Sequence, residues 1–469
     1  MENIIPKIYQ LLNETRDFIS FEEQLKRLMY STFADVMGIV FGQLDEAIVN
    51  EKRKEGWKRE RKDKKTLTFT FGAVTYRRSL MYDNEGNPHY PLDEWLGLRP
   101  YQRYSAMVEL KAAELAREAT YREVARVLKE WTAVEISHTT VGEMVKEVGG
   151  AQAAADEELI MELEESPALP EGKPVDFLMA EADGVFVRST KKKKNIEVHH
   201  GMLYEGWETN GQRVSLRHST VILTTRSTDV FWHQVQAEAA NKYALEDTQV
   251  ITNSDGGKGY TADKFQEAFS QSKHEVLNSL DPYHIAQALN RTFGVKNPLK
   301  TEVKKAIKQH DHDQLVVLLD TYESRLEDSK QIEKLKDFRS YILGNWVRIF
   351  DWRDRIDHVP KGARALGAME SNQRRVTFRM KKRGMHWSAE GAEAMVKIIQ
   401  GMANRTLRSV YLKHQRRSAR KHREVKRVVK KAEILHQKTR PSIGVKHGRI
   451  PLNGPSSSAL GQLIKGFQY

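Results

Sequence analysis

Three acids in this chain sit where carboxylates can serve metal-assisted phosphoryl transfer: Asp183 in MAEADGVFV, Asp255 in ITNSDGGKG and Glu370 in ALGAMESNQRR. Moving a phosphoryl group between oxygens asks for little covalent help from a protein. It asks for two divalent ions roughly 3.5–4 Å apart, clamping the attacking and leaving oxygens, and for carboxylates that hold them. The chain has no cysteine, which excludes disulfides, thiolate zinc sites, iron–sulfur clusters and cysteine nucleophiles. Oxygen ligands then favour hard cations, Mg²⁺ or Mn²⁺. Each Asp precedes a glycine, and Asp-Gly also marks an ordinary turn. Glu181 shares a strand face with Asp183 by alternation, so the choice between those two stays open.

Cations crowd the third acid. Arg374, Arg375, Arg379, Lys381, Lys382 and Arg383, six basic residues within a dozen positions, follow Glu370 and suit neutralisation of a DNA backbone, although a charge run also reads as a solvated face. Trp387 is a stacking platform for an unstacked base or, equally in kind, a core residue. His284, in Asp281-Pro282-Tyr283-His284, reads as a phosphate contact, as outer support of a metal, or as a plain helix start behind an Asp-Pro cap.

The elements that must position these residues follow from periodicity. Residues 1–60 read as helical, with Phe21, Leu25, Leu28 and Met29 spaced three and four apart. The stretch 51–65, with nine basic residues, reads as a solvated helix end or a phosphate-facing surface. TLTFTFGAVTYRRSLMYD alternates about a glycine, as a β-hairpin does. From 102 to 149 the helical pattern returns. ATYREVARVLKEW followed by TAVEISHTTVGEMVKEVGG, with Ser137 as N-cap, resembles a helix-turn-helix or an ordinary helical hairpin. On the first reading His138, Thr139, Thr140 and Lys146 face base edges. Residues 150–173 read as a linker.

After that linker come three β-rich runs (VDFLMAEADGVFVRS, IEVHHGMLYEGWE, RVSLRHSTVILTT), a helix, the strand ending at Asp255, a helix, a short strand and then helices. This order is that of an α/β, RNase H-like fold, in which the first and fourth strands are neighbours. Asp183 and Asp255 then meet despite a separation of 72 positions, and Glu370 reaches them from a packed helix.

The segments MAEADGVFV, ITNSDGGKGY, LDPYHIAQALNR and GAMESNQRRVTFRMKKRGMHWS resemble the catalytic blocks of bacterial insertion-sequence transposases of the ISLre type, distantly Mutator-like. The resemblance runs from the N-terminal helices to about residue 410. It implies an RNase H-like catalytic domain with the triad Asp183, Asp255 and Glu370, two Mg²⁺ or Mn²⁺ ions, a helical insertion before Glu370, double-stranded DNA as substrate, and action as a homodimer or higher multimer. The expected layout is 1–100, helical with a hairpin; 101–150, DNA-binding; 174–284 with 360–410, catalytic; 285–359, inserted helices; and 411–469, a basic tail. A DNA-binding regulator on the same scaffold and a structure-specific nuclease are the competing functions.

Bulk composition agrees with this class. At 469 residues the chain exceeds what one core fills, and a net charge of +13 points to a polyanionic partner. No apolar run reaches a membrane span and no secretory signal is visible, so cytoplasmic, nucleoid-associated residence is expected. The segment 411–449 carries 14 Lys and Arg against Glu424 and Glu433, as a helix tracking a phosphate backbone would.

Overall fold

The computed structural model describes residues 4–99, 101–165, 172–191, 194–254, 257, 259–294 and 297–418. The chain divides into two compact units, residues 1–104 with 415–469 and residues 105–414. Nearly all of the basic tail of 411–469, including the segment expected to track DNA, lies outside the described residues.

The first unit contains α1 (Ile4–Glu14), α2 (Phe18–Lys54), the hairpin β1 (Lys58–Phe69) and β2 (Gly72–Tyr82), β3 (Pro88–His89) and α3 (Pro91–Trp95). One stripe of α2 (Ala34, Phe41, Ile48) packs on Leu67, Val74 and Tyr76 of the hairpin. Asp45 reaches across from α2 and accepts from the Ser79 amide at 2.9 Å and its hydroxyl at 2.8 Å. The hairpin begins inside the charged stretch that reads as a helix end. Alternation explains it: Lys64 and Thr66 face outward while Leu67 points inward, and Lys65, an inward charge, meets Asp93 at 3.2 Å.

The second unit begins with α4 (Ala106–Glu118), α5 (Tyr121–Trp131) and α6 (His138–Glu165), capped in turn by Ser105, Thr120 and Ser137. Residues 150–165 of the expected linker instead continue α6, because Ala and Glu are strong helix formers and buried positions such as Ala151 and Ala153 give the segment a packing face; residues 166–171 lie outside the described residues. The residues expected as a separate DNA-binding region thus share a compact unit with the sheet.

Then come β4 (Lys173–Pro174), β5 (Phe177–Arg188), β6 (Asn195–Tyr204), the side hairpin β7 (Trp207–Asn210) and β8 (Arg213–Leu216), β9 (Thr220–Thr224), α7 (Thr228–Lys242), β10 (Tyr243–Ala244), β11 (Gln249–Ser254), α8 (Ala262–Ala268) and β12 (Leu277–Leu280). The main sheet has the order β12-β11-β5-β6-β9. β5 pairs antiparallel with β6 and β6 with β9, whereas β11 runs parallel to both β5 and β12. The architecture is mixed α/β.

Alternation gives the sheet two different faces. Leu178, Ala180 and Ala182 of β5 face a core with Phe231, Val235 and Ala239 of α7 and Phe265 of α8. Met179, with Met202 and Tyr204 of β6 and Ile251 of β11, faces Trp352 and Met369 on the other side.

The remaining helices are α9 (Pro282–Phe293), α10 (Pro298–Lys308), α11 (His312–Glu323), α12 (Ser329–Gly344), α13 (Ala368–Met380), α14 (Ala389–Ala403) and α15 (Leu407–Ser418), with short 3₁₀ turns at Trp346–Ile349 and Trp352–Asp354. α9 to α12 enclose their own core of Leu289, Phe293, Val303, Leu315, Leu319, Leu335, Phe338 and Ile342. They account for the long interval before Glu370. No helix among the described residues is long and apolar enough to cross a membrane.

Candidate active site

Two carboxylates project from the same face of β5, and the structure gives them separate roles. Glu181 is buried. Its Oε1 accepts from the Tyr204 hydroxyl at 2.6 Å and from the amides of Gly367 at 3.3 Å and Ala368 at 3.1 Å, and its Oε2 accepts from the Met369 amide at 3.0 Å. These amides open α13, whose first turn has no side-chain cap of its own. A negative group from the sheet thus satisfies the helix's orphan donors and complements its dipole. The Tyr204 hydroxyl is held well above its ordinary pKa, by burial first and by the neighbouring Glu181 charge second. With four donors around it, Glu181 is the anchor of α13, and Asp183 is left as the candidate metal ligand of the pair.

Asp183 is half-buried in the central strand. Its Oδ1 accepts from the Gly184 amide at 2.6 Å, and its Oδ2 accepts from the Nε2 amide of Gln373 on α13. Asp183-Gly184 is not a turn but lies within β5, paired with His200 and His199. A Cβ on Gly184 would meet Glu197 Oε1 at 2.5 Å and the Tyr260 hydroxyl at 3.0 Å, so those side-chain ends would have to shift to admit one.

Glu370 is exposed in the first turn of α13, one turn before Gln373. Residues three apart share a helix face. The side chain that touches Asp183 therefore shares its face with Glu370. Among the described residues Glu370 makes no hydrogen bond or ion pair. Asp255 lies outside the described residues; β11, which leads to it, pairs Asn253 with Glu181 and ends at Ser254.

Beneath α13 the sheet holds polar atoms without partners. His200, opposite Asp183 in the ladder, is fully buried, and neither ring nitrogen has a hydrogen-bond partner among the described residues. Burial, and secondarily the charge of Arg375, push its pKa down to about 3, so the ring is neutral. Asn253 Oδ1 and Ser279 Oγ, on adjacent strands, are likewise buried and unpartnered. His199, on the opposite face, is engaged: its Nδ1 lies 2.6 Å from the Tyr260 hydroxyl, and burial lowers its pKa. No group of three or more His, Cys, Asp or Glu side chains among the described residues is arranged to hold a metal ion.

The profile of the uncharacterised protein family UPF0236 matches residues 11–416, a span that contains all three acids. The chain belongs to UPF0236. A UPF0236 protein in the vanSb 3′ region of Streptococcus gallolyticus is 30% identical over 463 residues, covering 98% of this chain and 99% of that protein. A UPF0236 protein of Caldanaerobacter subterraneus subsp. tengcongensis, whose name joins four loci, is 24% identical over 85% of this chain and 80% of its own length. Another from the same organism, whose name joins eleven loci, is 25% identical over 85% of this chain and 83% of its own length.

In this UPF0236 chain the remaining sequence candidates divide by burial. Arg374, Lys381, Lys382 and Arg383 are exposed on α13 or just beyond it, and so is the Arg375 side chain. Arg383 lies over the Phe378 ring at 4.8 Å. Arg379 is buried instead. Its Nε donates to the Ala116 carbonyl at 2.6 Å, and its guanidinium lies 5.1 Å from the Trp387 ring, so it ties α13 to the end of α4. Trp387 is core, with Nε1 donating to the Met380 carbonyl at 3.0 Å and its backbone bonded to Arg188 and Thr190.

His138 and Thr139 are exposed at the start of α6, while the Thr140 hydroxyl lies 3.0 Å from that of Ser137 and Lys146 pairs with Glu390 of α14. His284 is half-buried in the first turn of α9, behind Asp281, whose Oδ1 accepts from the Tyr283 amide at 2.8 Å. Sequence reasoning missed Gln373 and the orphaned His200. Helical spacing from Glu370 would have found the first; the second needed the ladder register.

Proposed function

We propose that this chain is a DDE-class transposase with an RNase H-like catalytic domain, cutting the ends of a mobile DNA element and joining them to a target. The observation that carries the reading is the sheet order β12-β11-β5-β6-β9, with Asp183 on the central strand and Glu370 on a helix anchored to that strand by Glu181. This strand order, with one acid on the central strand and another on a helix packed against it, supports the RNase H-like reading. The relatives' names add support, because eleven loci under one protein name are what copies of a mobile element leave in a genome.

The donors present fit hard divalent cations. Asp183 and Glu370 offer carboxylate oxygens, the imidazole opposite Asp183 and Asn253 Oδ1 are unpartnered among the described residues, and the chain has no thiolate to offer. Asp183, Asp255 and Glu370 would hold two Mg²⁺ or Mn²⁺ ions, which when bound activate the attacking oxygen and stabilise charge on the leaving one. The protein's own contribution is positional. Glu181 fixes the start of α13 and therefore Glu370, and Gln373 orients the Asp183 carboxylate through its amide. Arg374, Arg375, Lys381, Lys382 and Arg383 supply positive charge for the DNA backbone, and His138 and Thr139 are free to meet base edges. Cutting two ends together asks for at least a dimer, acting on nucleoid DNA in the cytoplasm.

The test uses duplexes carrying the flanking DNA of the reading frame, with cleaved and joined products resolved on gels. Wild type should give both products with Mg²⁺, and Asp183→Asn, Asp255→Asn or Glu370→Gln should give neither while still binding DNA. Cleavage without joining would reduce the reading to a nuclease. Binding alone would reduce it to a regulator, and activity retained in one variant would remove that acid.

A further inference from the structure

α13 turns a second group of side chains toward the C-terminal end of α4. Between the two helices lies a cavity of about 300 Å³ lined by Arg117, Glu118, Ser371, Arg374, Arg375 and Phe378. Three guanidiniums converge there from segments more than 250 residues apart. The single carboxylate among them, Glu118, lies 3.3 Å from Arg117 Nε and is itself exposed. Neither Arg374 nor Arg375 has an acidic partner among the described residues. Partial burial, and then the like charge of Arg117, hold the Arg375 guanidinium below its ordinary pKa.

Such convergence is unfavourable for the protein alone. It is nonetheless built in: the buried Arg379 donates to the Ala116 carbonyl, one residue before Arg117, and locks the last turn of α4 against α13. Phe378, on α13 with the two arginines and 42% exposed, adds an apolar ring to the lining, with Arg383 lying over it at 4.8 Å. Ser371 and Arg374 adjoin Glu370 on the helix, so the cavity lies within about one helical turn, ~5.4 Å of axis, of the candidate catalytic acid.

We propose that this cavity is a phosphate subsite for the backbone of duplex DNA flanking the cleaved position, with Arg117 of α4 as its third cation. The inference rests on the transposase reading for its setting, but its ligand chemistry, a phosphodiester gripped by guanidiniums, is independent of catalysis. Arg117 lies outside the basic run that follows Glu370 and enters the site only through the packing of α4.

The experiment is fluorescence anisotropy of the full chain with a labelled random-sequence duplex, in EDTA, across a salt series. Each phosphate contact contributes about 0.9 to the slope of log K against log salt. Arg117→Gln should lower the slope by about that amount and weaken binding several-fold, Arg117→Lys should keep the slope, and Arg375→Gln, on the facing helix, should repeat the loss. An unchanged slope in Arg117→Gln overturns the subsite. So does an equal loss in Arg117→Lys, which would mean that α4 had been damaged. Failure of the transposase reading is separately visible: a wild-type chain that never cuts with Mg²⁺ yet shows the Arg117 slope effect keeps the subsite and loses the enzyme.

Discussion

The first turns of α13 and α6 begin in similar ways and are held in opposite ways. Each carries candidate site residues in its first turn, the metal-ligand candidate Glu370 in α13 and the DNA-contact candidates His138, Thr139 and Thr140 in α6. α6 caps itself: the Ser137 hydroxyl accepts from the Thr140 amide at 3.1 Å, and nothing beyond the local chain is needed. α13 has no such cap and depends on Glu181, 186 residues upstream of Gly367, whose carboxylate takes three of its opening amides. A self-capped helix knows where to start but not where to sit. A helix capped from the sheet is fixed in position to hydrogen-bond precision, and this is the precision a catalytic acid requires.

Breaking the α13 anchor should have the largest effect. Glu181→Gln keeps the shape but leaves one oxygen for three amides and a tyrosine hydroxyl. It should cost about 3 kcal/mol in urea unfolding and lower cleavage more than roughly tenfold, while DNA binding persists. Unaltered stability would mean that the cap is not formed.

α6 is positioned farther along, where it crosses α14. A Cβ on Gly149 would lie 2.3 Å from the Ala394 carbonyl oxygen and 2.5 Å from its Cα. Gly149→Ala should therefore cost about 2 kcal/mol, read as a lower urea midpoint at constant m. A neutral result would show that the two helices can separate without penalty.

The third test concerns His200 under α13. An unfolded histidine takes its proton near 6.5, whereas His200 resists protonation down to about 3. Below pH 6.5 the unfolded chain binds a proton that the native chain refuses, so stability falls as acid is added through that window. The contribution of this one side chain should approach roughly 1.4 kcal/mol per pH unit, and His200→Asn should flatten the profile in EDTA. Equal slopes in the two proteins would place the ring in contact with water.

Smallest is the loss of the α6 cap. Ser137→Ala should lower stability by about 1 kcal/mol with no change in cleavage, measured by thermal melting alongside the gel assay. A loss of cleavage beyond the loss of folded protein would show that the α6 start, too, serves the reaction.

Much of this was legible before any coordinates. The alternating runs marked the strands of the main sheet, and the long interval before Glu370 announced the helices that fill it. Asp183 and Glu370 were singled out from their settings, and the structure places the first on β5 and the second in the first turn of α13. The hairpin's early start escaped because charge in β1 hides a strand whose inner face alone is selected for burial. The length of α6 escaped because Ala-Glu composition was taken for a linker, although the same residues favour helix. Arg379 read as a DNA contact by proximity to Glu370 and is buried, because neighbours on a helix point in different directions; of the two readings of Trp387, stacking platform or core, the structure shows core.

The sequence by itself determined the local facts: where strands alternate, that Ser137 caps α6, which chemistry the absence of cysteine removes, and that Glu181 and Asp183 share a face. Only the tertiary structure decided between those two acids, and only it brought Arg117 beside Arg375. Periodicity reports which side of an element a residue occupies. What meets that side depends on packing between segments far apart in the chain, and no local pattern records that distance.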